Sequence, residues 1–209
     1  MSVQLRFHTG LADDEYVNRE LWRSASLTRC PLHPRGGCGF SSHGTYLRKT
    51  PAGTRIARWY CRKGHCTFSL LPDHLAARLP GTLAEIEQAA AAAESAPSLE
   101  ACAHALRPEP IGLPGALRWL RRRIDYVRAV LPAVVALLPQ QLQGCAPTIA
   151  GVRRHLGAEQ ALQRLRSLLA THLGALATPL GLRHRAARGE PRSGGFQQRM
   201  GPDPPPEAA

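Results

Sequence analysis

The sequence predicts an α+β fold: a small β-hairpin module, then an all-α helical region, then a C-terminal tail without regular structure. Three observations predict it. β-Branched and aromatic runs flanking turn residues are confined to residues 30–72. From residue 82 onward, apolar residues recur at three- and four-residue steps. After Gly181 the chain turns rich in Arg, Gly and Pro and loses its apolar periodicity.

The chain has 209 residues, enough for one domain or two small ones. Only 5% are aromatic, so the core must be built mostly from Leu, Ala and Val. Residues 1–29 read as an N-terminal extension with four basic and four acidic groups. They hold no apolar run, so no signal peptide is expected. The longest uncharged stretch, 129–152, is interrupted by Pro132, Pro139, Gly144 and Pro147, which excludes a single membrane-spanning helix there. Cysteines without a secretory signal point to metal or free thiols, and the expected compartment is a reducing cytoplasm, nucleoid-associated if the protein binds DNA.

Residues 30–80 form the β module. Gly44–Lys49 and Thr54–Cys61 are strand-like runs around Pro51-Ala-Gly53, a turn signal, and so predict a hairpin. Thr67–Leu71 predicts a third strand, ended by Pro72. Residues 81–180 form the helical region. Thr82 and Glu85 make a capping box that opens a helix to about Ser95. Ser98 caps a second helix, 99–106, which Arg107-Pro-Glu-Pro110 ends. Pro114 suits the first turn of a third helix, 114–131, whose stripe runs Leu113, Leu117, Leu120, Ile124, Val127, Leu131. Pro132 should kink or break it, with residues 134–138 continuing as buried helix. Segments 148–156 and 158–177 predict two more helices, the last with Leu162, Leu165, Leu169, Leu173 and Leu176 on one face. Residues 181–209 read as a disordered tail.

Charge is patchy. The formal net charge is +12, and residues 30–80 carry eight basic groups against Asp73 alone, net +7. Residues 113–128 carry five arginines against Asp125, net +4. Such basic patches favour a polyanionic partner.

Four of the six cysteines lie within 37 residues as two pairs, Cys30 with Cys38 and Cys61 with Cys66. The predicted hairpin folds the second pair back onto the first. Structural zinc takes four soft or borderline ligands in a tetrahedron. The preferred set is Cys30, Cys38, Cys61 and Cys66, holding a structural Zn²⁺. The main alternative puts His33 in place of Cys38, because Cys30-Pro-Leu-His33 has the tighter spacing. A catalytic zinc would need an open position and a nearby base, and residues 30–80 offer one acid. Cys102 and Cys145 read as small core residues.

Together, Cys30-Pro31, Cys38-Gly39, His43-Gly-Thr-Tyr46, Arg58-Trp-Tyr-Cys61 and Thr67-Phe-Ser69 resemble the N-terminal zinc ribbon of bacterial insertion-sequence transposases. They are also similar to a bacterial domain of unknown function built on the same ribbon. The resemblance covers about residues 28–75, near a quarter of the chain. It implies Cys30, Cys38, Cys61 and Cys66 as ligands and the basic hairpin as a nucleic-acid surface. Both cysteine pairs are longer here than in the pattern, the first by Pro34-Arg-Gly-Gly37 among others, which leaves His33 and His65 as alternative ligands.

In such transposases a helix-turn-helix follows the ribbon, and residues 82–131 have a matching order of helices. The third would be the recognition helix, presenting Arg118, Arg121, Arg122 and Arg128. The same face is equally a solvated face of an amphipathic helix. The transposase catalytic domain has no counterpart: acids after residue 113 are Asp125, Glu159, Glu190, Asp203 and Glu207, without accompanying strands. The expectation is therefore a non-catalytic, transposase-derived or mobile-element-associated protein. It would bind nucleic acid, most simply DNA, through Arg48, Lys49, Arg55, Arg58, Arg62 and Lys63 with Arg118, Arg121 and Arg122. No membrane partner and no small-molecule substrate are expected. The alternative is a protein-interaction adaptor in which zinc is only a staple and helices 148–177 form a homodimer.

Overall fold

The computed structural model describes residues 2–11, 13–107 and 113–182. Its strands are β1 (Ser2–Phe7), β2 (Ser41–Leu47), β3 (Arg55–Cys61) and β4 (Cys66–Pro72), in the spatial order β1-β4-β3-β2. The β2–β3 and β3–β4 pairs are antiparallel, while β1 runs parallel to β4, with Val3 opposite Phe68 and Leu5 opposite Leu70. The helices are α1 (Asp13–Asn18), α2 (Leu83–Ser95), α3 (Leu99–Leu106), α4 (Leu113–Leu137), α5 (Ile149–Leu156) and α6 (Ala161–Leu168). The α+β class follows. No helix among the described residues is long and apolar enough to cross a membrane.

Both faces of the sheet are covered. On one face Ile56 and Leu71 join a large core with Leu83, Ile86, Val127, Leu131, Leu162 and Leu165 from the helices. On the other, Ala57 and Leu70 pack with Ala25, and Phe68 packs with Val3 and the cysteines of the hairpin tips. The segment read from sequence as an extension supplies this second layer. Tyr16 is fully buried, donates to the Arg55 carbonyl at 2.8 Å and packs its ring edge-on against Phe7. The β1 pattern is a mixed half-buried one, because an edge strand paired on one side only needs no continuous apolar run.

Buried charges lock the layers together. Asp73, 2% exposed at its side chain, takes Arg6 Nε at 2.6 Å and Nη2 at 3.1 Å, and meets His8 Nδ1 at 2.5 Å. Glu87, 1% exposed, accepts from the backbone N–H groups of Ala161 and Leu162 and from Arg153 Nε, so a carboxylate from α2 caps α6. Glu94 accepts from the N–H groups of Ile149 and Ala150 and does the same for α5. Burial opposes ionisation of Asp73, but the hydrogen bonds and charges of Arg6 and His8 outweigh it and hold the carboxyl below the usual range. A folded-state value below the unfolded one stabilises above about pH 4, the unfolded value, and that stability is lost as pH falls through the folded value. Urea midpoints should therefore drop on acidification below about pH 4, and the Asp73→Asn variant should show a smaller drop in that window.

The helix boundaries match the sequence reading closely for α2 and α3, including the Thr82–Glu85 capping box and the Ser98 cap. Three points differ. α4 runs unbroken through Pro132 to Leu137; Pro132 lies on the solvent face, so the carbonyl it leaves without an N–H partner can bond water. The predicted helix over 158–177 is regular only as α6. Beyond it, bonds from Ala170 to Ser167, His172 to Leu169 and Ala175 to His172 tighten the chain into turns, which still bury Leu169, Leu173 and Leu176. Gly181 and Leu182, assigned to the tail, are buried against the core, and the rest of the tail lies outside the described residues. Leu162, Leu165, Leu169, Leu173 and Leu176 are buried within the chain's own core, with Leu156 and Leu168 partly buried against it.

Candidate metal centre

The tip of the sheet brings four donor groups together. Sγ of Cys30, Cys38 and Cys61 and a ring nitrogen of His33 all lie within 4.8 Å of one another, an arrangement that can hold a metal ion. Cys30 and His33 come from one turn, closed by the His33 N–H on the Cys30 carbonyl at 3.2 Å. Gly36 and Gly37, both at positive φ, return the chain so that Cys38 faces the same point. Cys61 ends β3. The two tips are joined by the Lys63 N–H on the Cys38 carbonyl at 3.2 Å.

His33 Nδ1 stands 3.7 Å from Cys30 Sγ and 3.4 Å from Cys61 Sγ, and the Gly64 N–H donates to Cys61 Sγ at 3.2 Å. A Cβ on Gly64 would sit 2.8 Å from Cδ1 of the exposed Leu32, which can swing aside, and 3.3 Å from Cys61 Sγ. The thiols are buried and all six cysteines are free. Burial raises the Cys38 thiol, and the neighbouring Cys30 and Cys61 sulfurs raise it further, to about 11. Burial opposes the Cys30 thiolate too, but hydrogen bonds from His33 and from backbone N–H groups bring it down to about 7. Crowded groups that share protons in this way are a site a cation can occupy by displacing them.

The four donors differ from the preferred set at one position. Cys66 is the closing rung of the β3–β4 hairpin, directly opposite Cys61, and lies outside the donor group. Its side chain packs in the small core that also holds Val3, Phe68 and the three donor cysteines, and burial raises its thiol. His33 takes the fourth place, rather than the place of Cys38. His65 sits in the exposed turn after Gly64, at φ 45°, near the Tyr60 hydroxyl at 3.4 Å, and is also outside the group. The signal for His33 was the Cys30-Pro-Leu-His33 spacing; nothing in the sequence spacing marks Cys66 as lying outside the group.

The basic candidates separate by environment. Arg48 is half-buried and donates to the carbonyls of Ala76 and Leu79, tying β2 to the loop after β4. Arg58 is half-buried with its guanidinium over Tyr46 at 5.7 Å. Lys49, Arg55, Arg62 and Lys63 are exposed, the last two beside the donor group, where Arg35 is exposed as well. On α4, Arg118, Arg121, Arg122 and Arg128 are exposed, with Arg121 3.9 Å from Glu100 and Arg122 over Tyr126 at 5.9 Å. The fully buried Leu120 and Val127 lie on the opposite face of that helix.

The chain matches no family model, no curated protein and no solved structure.

Proposed function

We propose that the protein is a zinc-stabilised, non-catalytic nucleic-acid-binding protein, most simply a DNA-binding one. The observation that carries this is the cluster of Cys30, His33, Cys38 and Cys61, closed by four protein donors and bordered by the exposed Arg35, Arg62 and Lys63. Three thiolates and one imidazole are a structural zinc set. Zn–S bonds of about 2.3 Å and Zn–N bonds of about 2.0 Å place sulfur and nitrogen roughly 3.5 Å apart in a tetrahedron. The 3.7 and 3.4 Å separations about His33 fit that spacing. Zinc there would replace thiol protons and cross-link the two tips of the sheet.

Nucleic acid is supported by where the positive charge lies. The exposed members of the basic set are Lys49, Arg55, Arg62 and Lys63 on the sheet side and Arg118, Arg121 and Arg122 on α4. Arginine serves phosphate and guanine edges alike, and α2, α3 and α4 follow one another as in a helix-turn-helix. The transposase resemblance of residues 28–75 supports a mobile-element origin.

Fluorescence anisotropy of the zinc-loaded chain on labelled duplex DNA, across a salt series, tests the reading. Binding should weaken with a log–log slope of about −0.9 per phosphate engaged. Replacing Arg118, Arg121 and Arg122 together by Ala should flatten that slope by about 2 to 3 units. A wild-type chain that fails to bind at low salt, or a variant with an unchanged slope, would contradict the assignment of α4.

A further inference from the structure

A cavity of 420 Å³ opens where α2, α3 and α4 meet, outside the metal centre. Two guanidinium groups converge on it. Arg123 is 8% exposed and stacks 4.1 Å over the Trp119 indole, and Arg107 lies 5.1 Å over the same ring. The hydrogen bonds Arg123 makes run to the main-chain carbonyls of Pro80 at 3.3 Å and Trp119 at 3.5 Å. Its Nε is buried with no partner, and among the described residues no carboxylate lies within ion-pair distance. Buried cations are ordinarily paired or fully hydrogen-bonded. Arg166 meets that rule, spreading its donors over the carbonyls of Asp73, Leu75, Pro179 and Leu180; Arg123 does not. Glu85 also lines the cavity; its carboxylate accepts from the Thr82 N–H at 2.7 Å in the α2 capping box, and its charge partly offsets that of Arg123 beyond ion-pair distance.

We infer that this cavity is a binding site for a phosphomonoester, with Arg123 and Arg107 as the groups that receive the phosphate. An anion in the cavity relieves the repulsion of the two guanidiniums, which stack on one indole. A phosphomonoester carries about 1.5 to 2 negative charges at neutral pH, more than a diester offers the two arginines, which also have Glu85 beside them. The cavity exceeds what a bare phosphate fills, and Leu106, Trp119 and the Gln88 amide offer apolar and polar walls to an organic group. The same chemistry is presented by a free nucleotide and by the phosphorylated 5′ end of a nucleic acid. Neither is a backbone phosphate, which is a singly charged diester, so the site is separate from duplex binding by the exposed arginines. It adds a small ligand where the sequence alone suggested none.

Calorimetric titration of the full zinc-loaded chain tests this with two arms: adenosine monophosphate, and paired oligonucleotides of one sequence bearing a 5′-phosphate or a 5′-hydroxyl. One-site binding of the mononucleotide, weakened about tenfold or more by Arg107→Ala, supports the site with a free nucleotide as its ligand. Preference for the 5′-phosphorylated oligonucleotide alone, lost in the same variant, supports it with a nucleic-acid end. Arg123→Met should abolish either. Arg107→Ala keeps the test decisive if the buried substitution unfolds α4, because Arg107 is half-buried at the rim. Absence of binding in both arms, equal binding of cyclic adenosine monophosphate, a singly charged diester added as a control, or an unchanged affinity in Arg107→Ala would overturn the proposal. Duplex anisotropy in the same variant separates that failure from a failure of nucleic-acid binding.

Discussion

A Cys61→Ser variant should lose bound zinc and the folded tip of the sheet while keeping most of its helix. Cys61 is fully buried and stands 3.4 Å from His33 Nδ1, central to the donor group. The apolar support around it is small: Val3 and Phe68 are the large fully buried side chains of that cluster, flanked by Leu5, Leu27, Phe40 and Trp59. Zinc contributes on the order of 10–16 kcal/mol of apparent folding energy in small modules, far more than two or three buried side chains return at about 2 kcal/mol each. Without it the tips have nothing to offset the cost of ordering residues 28–40 and 61–66. The helical core, by contrast, is built on Leu83, Ile86, Leu131, Leu142 and Leu165, none of which touches the metal donors. Far-UV circular dichroism should therefore keep most of its helical signal. Limited proteolysis should cut within residues 28–40, where the zinc-loaded wild type resists. Chelation of the wild type should reproduce both results.

Arg166→Met should be the most destabilising single substitution in the helical half, at about 3–5 kcal/mol. Arg166 is 1% exposed, and burial lowers its pKa to about 9, which leaves it protonated at neutral pH. Its guanidinium donates to the Asp73 carbonyl at 3.0 Å, Leu180 at 3.2 Å, Pro179 at 2.6 Å, and Leu75. Those carbonyls belong to the loop leaving β4 and to the last described turn, so one side chain fastens both to α6. Methionine fills much of the volume but leaves the buried carbonyls of Asp73, Leu75 and Leu180 without the donor they share, while Pro179 keeps the Ala77 N–H. Lysine should rescue only part, because one ammonium cannot reach carbonyls on both segments in the fork geometry. The shift in urea midpoint, at unchanged slope, measures the loss.

Local signals carried much of this structure and long-range pairing carried the rest. The capping residues Thr82 and Ser98 and the Leu120, Ile124, Val127 stripe mark α2, α3 and α4 because each acts within a turn or two of its own helix. The hairpin was legible for the same reason, with Pro51-Ala-Gly53 between its strands. β1 was not, since its only strand partner is β4, more than sixty residues away, and its pattern is that of an edge. Arg48 read as a surface cation because charge shows in a sequence while the Ala76 and Leu79 carbonyls it serves do not. Cys30, Cys38 and Cys61, three of the four clustered groups that could hold a metal, were singled out from spacing. Cys66, paired across from Cys61 and packed in the same small cluster, lies outside the donor group, and the Cys30–His33 turn delivers the imidazole.

That exchange gives the most direct test of the metal centre. Zinc per chain should be measured by elemental analysis in wild type, His33→Ala and Cys66→Ser, each purified without added chelator. One zinc per chain is expected in the wild type and in Cys66→Ser, and a large loss in His33→Ala. Zinc retained by His33→Ala and lost from Cys66→Ser would contradict this and restore the four-cysteine set.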